Sequence, residues 1–159
     1  MKFKIEQIAL APQPHRRDEA LRLLAALGLA AWTEDVVSAR GFVDGEKCEN
    51  VAHLAFNYEA ASAAALELEV LVYQRGDNWI EGCTPLVSHL GMHVAWAEWQ
   101  EHWAPLLLDG FRLALRQTVE TTAHTNPAIA GKRRYFYFIV GTRELIGVDL
   151  KFIVRRDAA

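Results

Sequence analysis

The sequence has few of the residues and segments that mark disulfide-rich or membrane-spanning proteins. It contains two cysteines in 159 residues, and Cys48 and Cys83 match no metal-binding or redox spacing. A reducing, cytoplasmic setting is therefore the simplest expectation. No apolar run reaches the roughly 18 residues that a membrane span needs. The first residues predict no signal peptide, because Glu6, Gln7 and the early prolines interrupt the apolar residues.

The chain also lacks an excess of charge of one sign. Lysine and arginine number 17 and aspartate and glutamate number 20, which gives a net charge of −3. Both signs are mixed along the chain, so we expect neither nucleic acid nor a membrane surface as a partner. Apolar residues make up 52% of the sequence. This length and composition predict a single domain, residues 1–159, with a substantial core.

The segment 86–94 has a strict alternation that predicts a β-strand. One side carries Leu86, Ser88, Leu90, Met92 and Val94 and is mostly apolar. The other side carries Val87, His89, Gly91 and His93. The first side fits a core, and the second fits the floor of a polar cavity. Because residues 82–85 form a turn signal, this strand is predicted to begin a second half of the chain.

The order strand, helix, strand, strand, strand is predicted in both halves, which is an internal repeat of pattern without sequence identity. The first half comprises strands at 3–11, 32–43, 51–58 and 66–73 and a helix at 16–27; the second comprises strands at 86–94, 111–120, 133–140 and 145–155 and a helix at 96–108. Residues 60–65 are predicted as a turn or bulged lead, 121–132 as a loop and 141–144 as a hairpin turn. The predicted class is α+β, with one βαβββ module at about 1–80 and another at about 86–156.

With this pattern the chain resembles the vicinal-oxygen-chelate superfamily, which includes glyoxalases, bleomycin-resistance proteins and extradiol dioxygenases. The resemblance implies a cup-shaped mixed sheet of paired modules with helices outside, and a homodimer. It also implies a divalent metal held by the first and last strands of each module. The matching positions are Gln7 in residues 4–10, Glu69 in 68–71, His89 in 88–92 and Asp149 in 147–150. Asp149 stands where the family usually has glutamate, and the 121–132 loop has no counterpart that we can assign.

One nitrogen and three oxygen ligands suit Zn, Mn, Fe(II), Co or Ni and disfavour copper(I). An octahedral shell would keep two positions open for a small substrate that chelates through vicinal oxygens, and the metal would act as a Lewis acid. By resemblance, Glu69 or Asp149 would be the catalytic carboxylate that moves a proton. The first hypothesis is therefore a metal-dependent lyase or isomerase of glyoxalase type.

The same residues allow other interpretations. His89 would then be an ordinary hydrogen-bonded strand histidine, Glu69 would face solvent and Gln7 would be inert. Lys151, on the same side as Asp149, would pair with it or point to water. The second hypothesis is a metal-free small-molecule binding protein of the bleomycin-resistance type, in which the polar groups satisfy one another. A non-haem iron dioxygenase ranks third, because His89 is the single histidine of the set.

Further residues are candidates for contacts with a small-molecule substrate or an anion, and each has an alternative role in the core or in solvent. His53, His93, Tyr135 and Tyr137 are predicted to line the cavity, and Arg40, Arg133 and Arg134 are candidate anion contacts. His124 and the residues after it form either a lid or a solvated loop. The tryptophans at 96, 99 and 103 are predicted to lie in the helix core or at a dimer contact.

Overall fold

The computed structural model describes residues 1–57, 66–75, 78–79 and 87–157. The strands are β1 (Gln7–Leu10), β2 (Thr33–Val43), β3 (Glu46–Asn57), β4 (Glu67–Arg75), β5 (Asn78–Trp79), β6 (Val87–His93), β7 (Leu115–His124), β8 (Arg133–Val140) and β9 (Asp149–Asp157). The helices are α1 (Arg17–Ala26), which follows a 3-10 turn at Pro14–Arg16, and the short α3 (Arg143–Ile146). A further helical segment, α2, runs through Trp96–Glu98, Trp99–Trp103 and Pro105–Gly110, and the last two parts are of π type.

The strands form one mixed sheet that closes on itself. Its order is β1-β6-β9-β8-β7-β2-β3-β4-β5, and β1 also pairs with β4. The first eight strands in this order therefore make a closed barrel, and β5 is attached to the side of β4. Closure removes the exposed strand edges that an open sheet would present.

The two halves of the barrel have the same internal pairing. β1 runs parallel to β4 and β6 runs parallel to β9, while the remaining pairs within each half are antiparallel. The halves meet at two antiparallel seams, β1 with β6 and β2 with β7. The α+β class and the strand order predicted for each half agree with this topology. The β2–β7 seam, which closes the sheet, was not predicted.

Most element bounds lie close to the predicted ones. β8 has the predicted bounds, whereas β1 is shorter than predicted at both ends. β7 continues to His124, so the first part of the predicted 121–132 loop is strand. The predicted hairpin turn at 141–144 contains the start of α3, which also takes in the first residues of the predicted strand at 145–155; that strand begins only at Asp149. The predicted lead at 60–65 lies outside the described residues.

The main apolar core lies between α2 and the outer face of the second half of the barrel. Trp99, Trp103 and Leu107 pack there against strand residues that include Phe138 and Phe152. The rings of Trp99 and Phe138 stack with centroids 4.4 Å apart. Aromatic side chains bury large apolar areas, so this contact fixes the position of α2. Trp99 and Trp103 are thus confirmed as core residues.

Helix α1 differs from α2 in that none of its residues is buried. Leu23 and Leu27 on this helix are 61% and 70% exposed. Within the residues that the structure describes, no helix is long and apolar enough to span a membrane.

Candidate functional site

The closed barrel places four polar side chains from neighbouring strands together in its interior. They are Gln7 of β1, Glu69 of β4, His89 of β6 and Lys151 of β9, and each is 6% exposed or less. Because strand side chains alternate between the two faces, the apolar neighbours of Lys151, such as Phe152, face the outer core. Gly91 is the register partner of Gln7. A Cβ atom at Gly91 would lie 3.0 Å from Gln7 Cβ, so glycine makes room for the Gln7 side chain.

His89 is held by hydrogen bonds that define its tautomer. Its Nε2 lies 3.0 Å from Gln7 Oε1, and its Nδ1 lies 3.2 Å from the Ser88 hydroxyl. Because an amide oxygen only accepts, Nε2 carries the proton and Nδ1 accepts from Ser88. Gln7 Nε2 in turn donates to the Glu67 carboxylate. Glu69 Oε2 lies 3.3 Å from His89 Nε2.

The ammonium of Lys151 lies within this group. Lys151 Nζ donates to Gln7 Oε1 at 3.4 Å and lies 3.9 Å from Glu69 Oε2. It is also 4.3 Å from the centroid of the Tyr137 ring, a favourable cation–π arrangement. Lys151 therefore supplies a positive charge between the carboxylate and the amide oxygen.

The buried charges shift the pKa values of their neighbours. Burial and the nearby Lys151 ammonium lower the pKa of His89 to about 4, although Glu69 acts in the opposite direction. Burial alone would raise the pKa of Glu69, but Lys151 and His89 outweigh it, so that pKa is lowered. Burial raises the pKa of the Tyr137 phenol. At neutral pH the group therefore contains a neutral imidazole, a carboxylate and a neutral phenol.

Asp149, the fourth predicted ligand, is in strand register with His89, but its carboxylate binds other groups. It accepts from the Arg143 backbone N–H at 3.2 Å and from the Arg143 guanidinium at 3.4 Å. Arg116 Nη1 lies 3.5 Å away. The turn of α3 after β8 brings Arg143 to this position. The structure thus brings together Gln7, Glu69 and His89 and directs Asp149 toward two arginines.

This arrangement does not fit a divalent metal held by all four predicted ligands. An ammonium group already lies among Gln7, Glu69 and His89, and a second cation there would be repelled. Asp149 would have to give up its contacts with Arg143. The residues described contain no group of three or more His, Cys, Asp or Glu side chains placed to hold a metal. The metal-ligand and catalytic roles that the resemblance implied for these residues remain predictions.

A second polar cluster anchors the chain that follows β7. Asp35 Oδ2 accepts from His124 Nδ1 at 2.8 Å, and Asp35 Oδ1 accepts from the backbone N–H groups of Thr125 and Asn126 at 2.9 Å. Thr121 accepts from the Tyr135 N–H, so its hydroxyl is free to donate to His124 Nε2 at 3.0 Å. Burial opposes ionisation of Asp35, but the His124 and backbone hydrogen bonds outweigh it and lower its pKa. The start of the predicted loop is therefore fixed to β2.

Two cavities open at opposite ends of the barrel. The His124 cavity, of about 300 Å³, has a lining that includes Asp35, Glu69, His124, Arg133, Tyr135, Tyr137 and Lys151. The Arg143 cavity, of about 340 Å³, has a lining that includes Val43, Tyr73, Arg75, Ser88, Arg116, Ile139, Arg143 and Asp149. On the antiparallel strands β2, β7 and β8 the two sets of residues come from opposite ends. A space of about 30 Å³, bordered by Glu69, Tyr73, Tyr137 and Lys151, lies between them.

The predicted lining residues divide between the cavity and other positions. Tyr135, Tyr137 and His93 line the His124 cavity, and the two tyrosine rings stack with centroids 6.0 Å apart. His53 instead lies 3.1 Å from Gln74 Oε1 and borders none of the described cavities.

Of the candidate anion contacts, Arg133 lines the His124 cavity. Arg134, the next residue, lies 3.6 Å from Glu120, and Arg40 is exposed. Asp35, by contrast, was missed by sequence reasoning, because a single aspartate in a strand carries no signal of its partner.

Comparison with known proteins leaves the family open. No family model and no curated protein matches the sequence. Among solved structures, the chain is similar to the hypothetical protein BH1468 from Bacillus halodurans C-125, with 11% sequence identity and a TM-score of 0.47. The alignment covers 98% of this chain and 96% of that one.

Proposed function

We propose that this protein binds a small molecule in the His124 cavity without a metal ion. The observation that carries the proposal is the position of Lys151 Nζ, 3.4 Å from Gln7 Oε1 and 3.9 Å from Glu69 Oε2. The lysine supplies the positive charge that a metal would supply among these groups. The Lys151 ammonium thus balances the Glu69 charge without a bound ion, which supports the second sequence hypothesis.

The shape and lining of the cavity support a small organic ligand. A volume of about 300 Å³ lies at the lower end of the range for small-molecule sites. The stacked rings of Tyr135 and Tyr137 offer a flat apolar wall. Glu69 Oε2 is buried and has no hydrogen-bond partner of good geometry among the described residues. It would accept a hydrogen bond from a ligand hydroxyl or amine at the base of the cavity.

Arg133 favours a ligand that carries a carboxylate. This residue lies at the start of β8, lines the cavity and is half-buried. Its guanidinium forms no ion pair or hydrogen bond with the described part of the chain. Arg155, which also lines the cavity, is already paired with Asp157 at 2.7 Å. A planar guanidinium binds carboxylates through two parallel hydrogen bonds, so Arg133 is the residue we expect to hold the acidic group.

The metal-dependent lyase or isomerase of glyoxalase type is the second candidate. It is favoured by the meeting of Gln7, Glu69 and His89, which the resemblance implied. It would require Lys151 to leave the group and Asp149 to release Arg143. A dioxygenase ranks below it, because His89 is the single histidine in the set. The homodimer implied by the resemblance is also a proposal, which light scattering on the purified protein tests.

A ligand-observed NMR screen of aromatic carboxylic acids and their matching primary amides tests the binding proposal. We expect acids to bind and amides to bind more weakly. Arg133→Gln should weaken acid binding roughly tenfold, whereas Arg134→Gln, which removes the same charge from the adjacent residue, should not. A screen without binders, or binders that Lys151→Met and Arg133→Gln both leave unchanged, would contradict the proposal.

A further inference from the structure

The Arg143 cavity, at the end of the barrel opposite the proposed ligand site, is lined by three arginines. Arg75 comes from the end of β4, Arg116 from the start of β7 and Arg143 from α3. In the closed sheet, β2 and β3 lie between β4 and β7. Because these four neighbouring strands are antiparallel, the end of β4 and the start of β7 lie at the same end of the barrel. The cavity, of about 340 Å³, is large enough for a small ligand.

One guanidinium nitrogen at this cavity is buried without a partner. Arg143 Nη2 donates to the Ser88 carbonyl oxygen at 2.8 Å, and Nε and Nη2 both approach Asp149. Arg143 Nη1, in contrast, is buried and has no hydrogen-bond partner among the described residues. Buried polar atoms in folded proteins nearly always have a partner, and the cost of leaving one unpaired is larger for a charged group.

Asp44, Glu46 and Asp149 also line the cavity, but these carboxylates do not pair equally with the three arginines. Arg116 binds Asp44 through two hydrogen bonds, at 2.9 and 3.0 Å, and Asp149 lies between Arg116 and Arg143. Arg75 donates to the neutral Asn50 amide at 3.2 Å and forms no ion pair with any described carboxylate. The cavity is therefore lined by one guanidinium without an acidic partner, that of Arg75, and by Arg143, whose Nη1 has no partner among the described residues.

We propose that the Arg143 cavity is a separate oxyanion-binding site, which takes a carboxylate or phosphate group through Arg75 and Arg143 Nη1. Guanidinium groups bind both kinds of oxyanion by charge-assisted hydrogen bonds. The apolar residues Val43, Tyr73 and Ile139, which also line the cavity, contact the remainder of the ligand. This site is independent of the one next to Lys151, because it uses none of the same cationic residues.

Titration calorimetry with inorganic phosphate and with succinate, at constant ionic strength, tests this proposal. We expect saturable binding of at least one probe. Arg75→Gln should weaken it roughly tenfold; Arg143→Lys, which keeps the charge but removes the planar fork, should do the same. Arg22→Gln, which removes a charge from the exposed face of α1, is the control and should have no effect. Binding of phosphate alone would assign the site to phosphate esters, and binding of succinate alone to carboxylic acids.

Two results would overturn the oxyanion site. One is the absence of saturable binding of either probe to the wild-type protein. The other is an equal loss of binding in Arg75→Gln and Arg22→Gln, which would show a general effect of net charge. Arg75 does not line the His124 cavity, so Arg75→Gln should leave the binding of aromatic acids in the NMR screen unchanged. A failure of this site is therefore distinguishable from a failure of the His124 cavity.

Discussion

Lys151 Nζ lies 3.9 Å from Glu69 Oε2 in the interior of the barrel, and neither side chain is more than 8% exposed. A buried carboxylate is costly unless a partner neutralises it. Here the partner is a lysine two residues after Asp149, on the same face of β9. The pair balances the buried Glu69 charge without a bound ion. We regard this relationship as the basis of the function proposed above.

Removal of the Lys151 charge should destabilise the fold. Lys151→Met keeps the length of the side chain but leaves the Glu69 carboxylate buried without its cation, which typically costs about 3–5 kcal/mol. The double variant Lys151→Met/Glu69→Gln removes both charges and should recover much of that loss. Urea unfolding of the wild type, both single variants and the double variant gives the coupling free energy. A Lys151→Met variant as stable as the wild type would show that the pair is not formed.

The lowered pKa of His89 predicts a specific dependence of stability on pH. Its folded-state pKa of about 4 lies below the ordinary value of 6.5. The unfolded chain therefore binds a proton that the folded chain rejects between these two values, and stability falls as pH decreases from 6.5 towards 4. The two values lie about 2.5 pH units apart, so at about 1.4 kcal/mol for each pH unit the loss should amount to about 3.5 kcal/mol. Below about pH 4 the contribution no longer changes.

Unfolding experiments between pH 6.5 and 4.5 measure this contribution, and His89→Asn is the matched variant. It keeps a polar side chain but cannot take up a proton, so its stability should depend less on pH in that range. Glu69 titrates at lower pH because its pKa is below the ordinary 4.5, which keeps the two contributions apart. Equal slopes for the wild type and the variant would contradict the neutral, buried state of His89.

The hydrogen bonds of Asp35 should hold residues 125–132 in one fixed conformation. Asp35→Asn removes the charge that accepts from His124, Thr125 and Asn126, and hydrogen bonds to charged groups contribute about 1.5–3 kcal/mol each. Amide hydrogen exchange should become faster in this segment, and ligands of the His124 cavity should bind more weakly, because Asn126 and Ile129 line it. Asp157→Asn breaks the exposed pair with Arg155 and should change stability by less than about 1 kcal/mol. Unchanged exchange in Asp35→Asn would mean that other contacts hold the segment.

Alternation in the sequence predicted most of the strands and the inward orientation of Glu69 and His89. It did not identify the interior face of β3, where Leu54 rather than His53 borders the cavities. The bounds of β8, and the inward orientation of Glu69 and His89, follow from the period of two residues that every strand obeys. Closure of the barrel could not be predicted in this way. It depends on the pairing of β2 with β7, and the alternation within a strand does not indicate which distant strand it pairs with.

The partners of the charged residues could not be predicted from the sequence either. Lys151 was expected to pair with Asp149 or to reach solvent, since these residues share one face of one strand. In the barrel, Glu69 on β4 lies close enough to Lys151 to form an ion pair with it, and Asp149 pairs instead with Arg143 of α3. Such choices depend on the distances between strands after closure, which composition and periodicity do not contain.

Elemental analysis of protein purified without chelator, then incubated with Zn, Mn, Fe(II), Co or Ni and dialysed, tests the central claim most directly. If Lys151 supplies the positive charge among Gln7, Glu69 and His89, each metal should be retained at far less than one equivalent per chain. The melting temperature should then stay unchanged, because a ligand stabilises a protein only when it binds the folded state. Retention of about one equivalent of any of these metals, with a raised melting temperature that His89→Ala abolishes, would contradict the account and favour the metal-dependent enzyme.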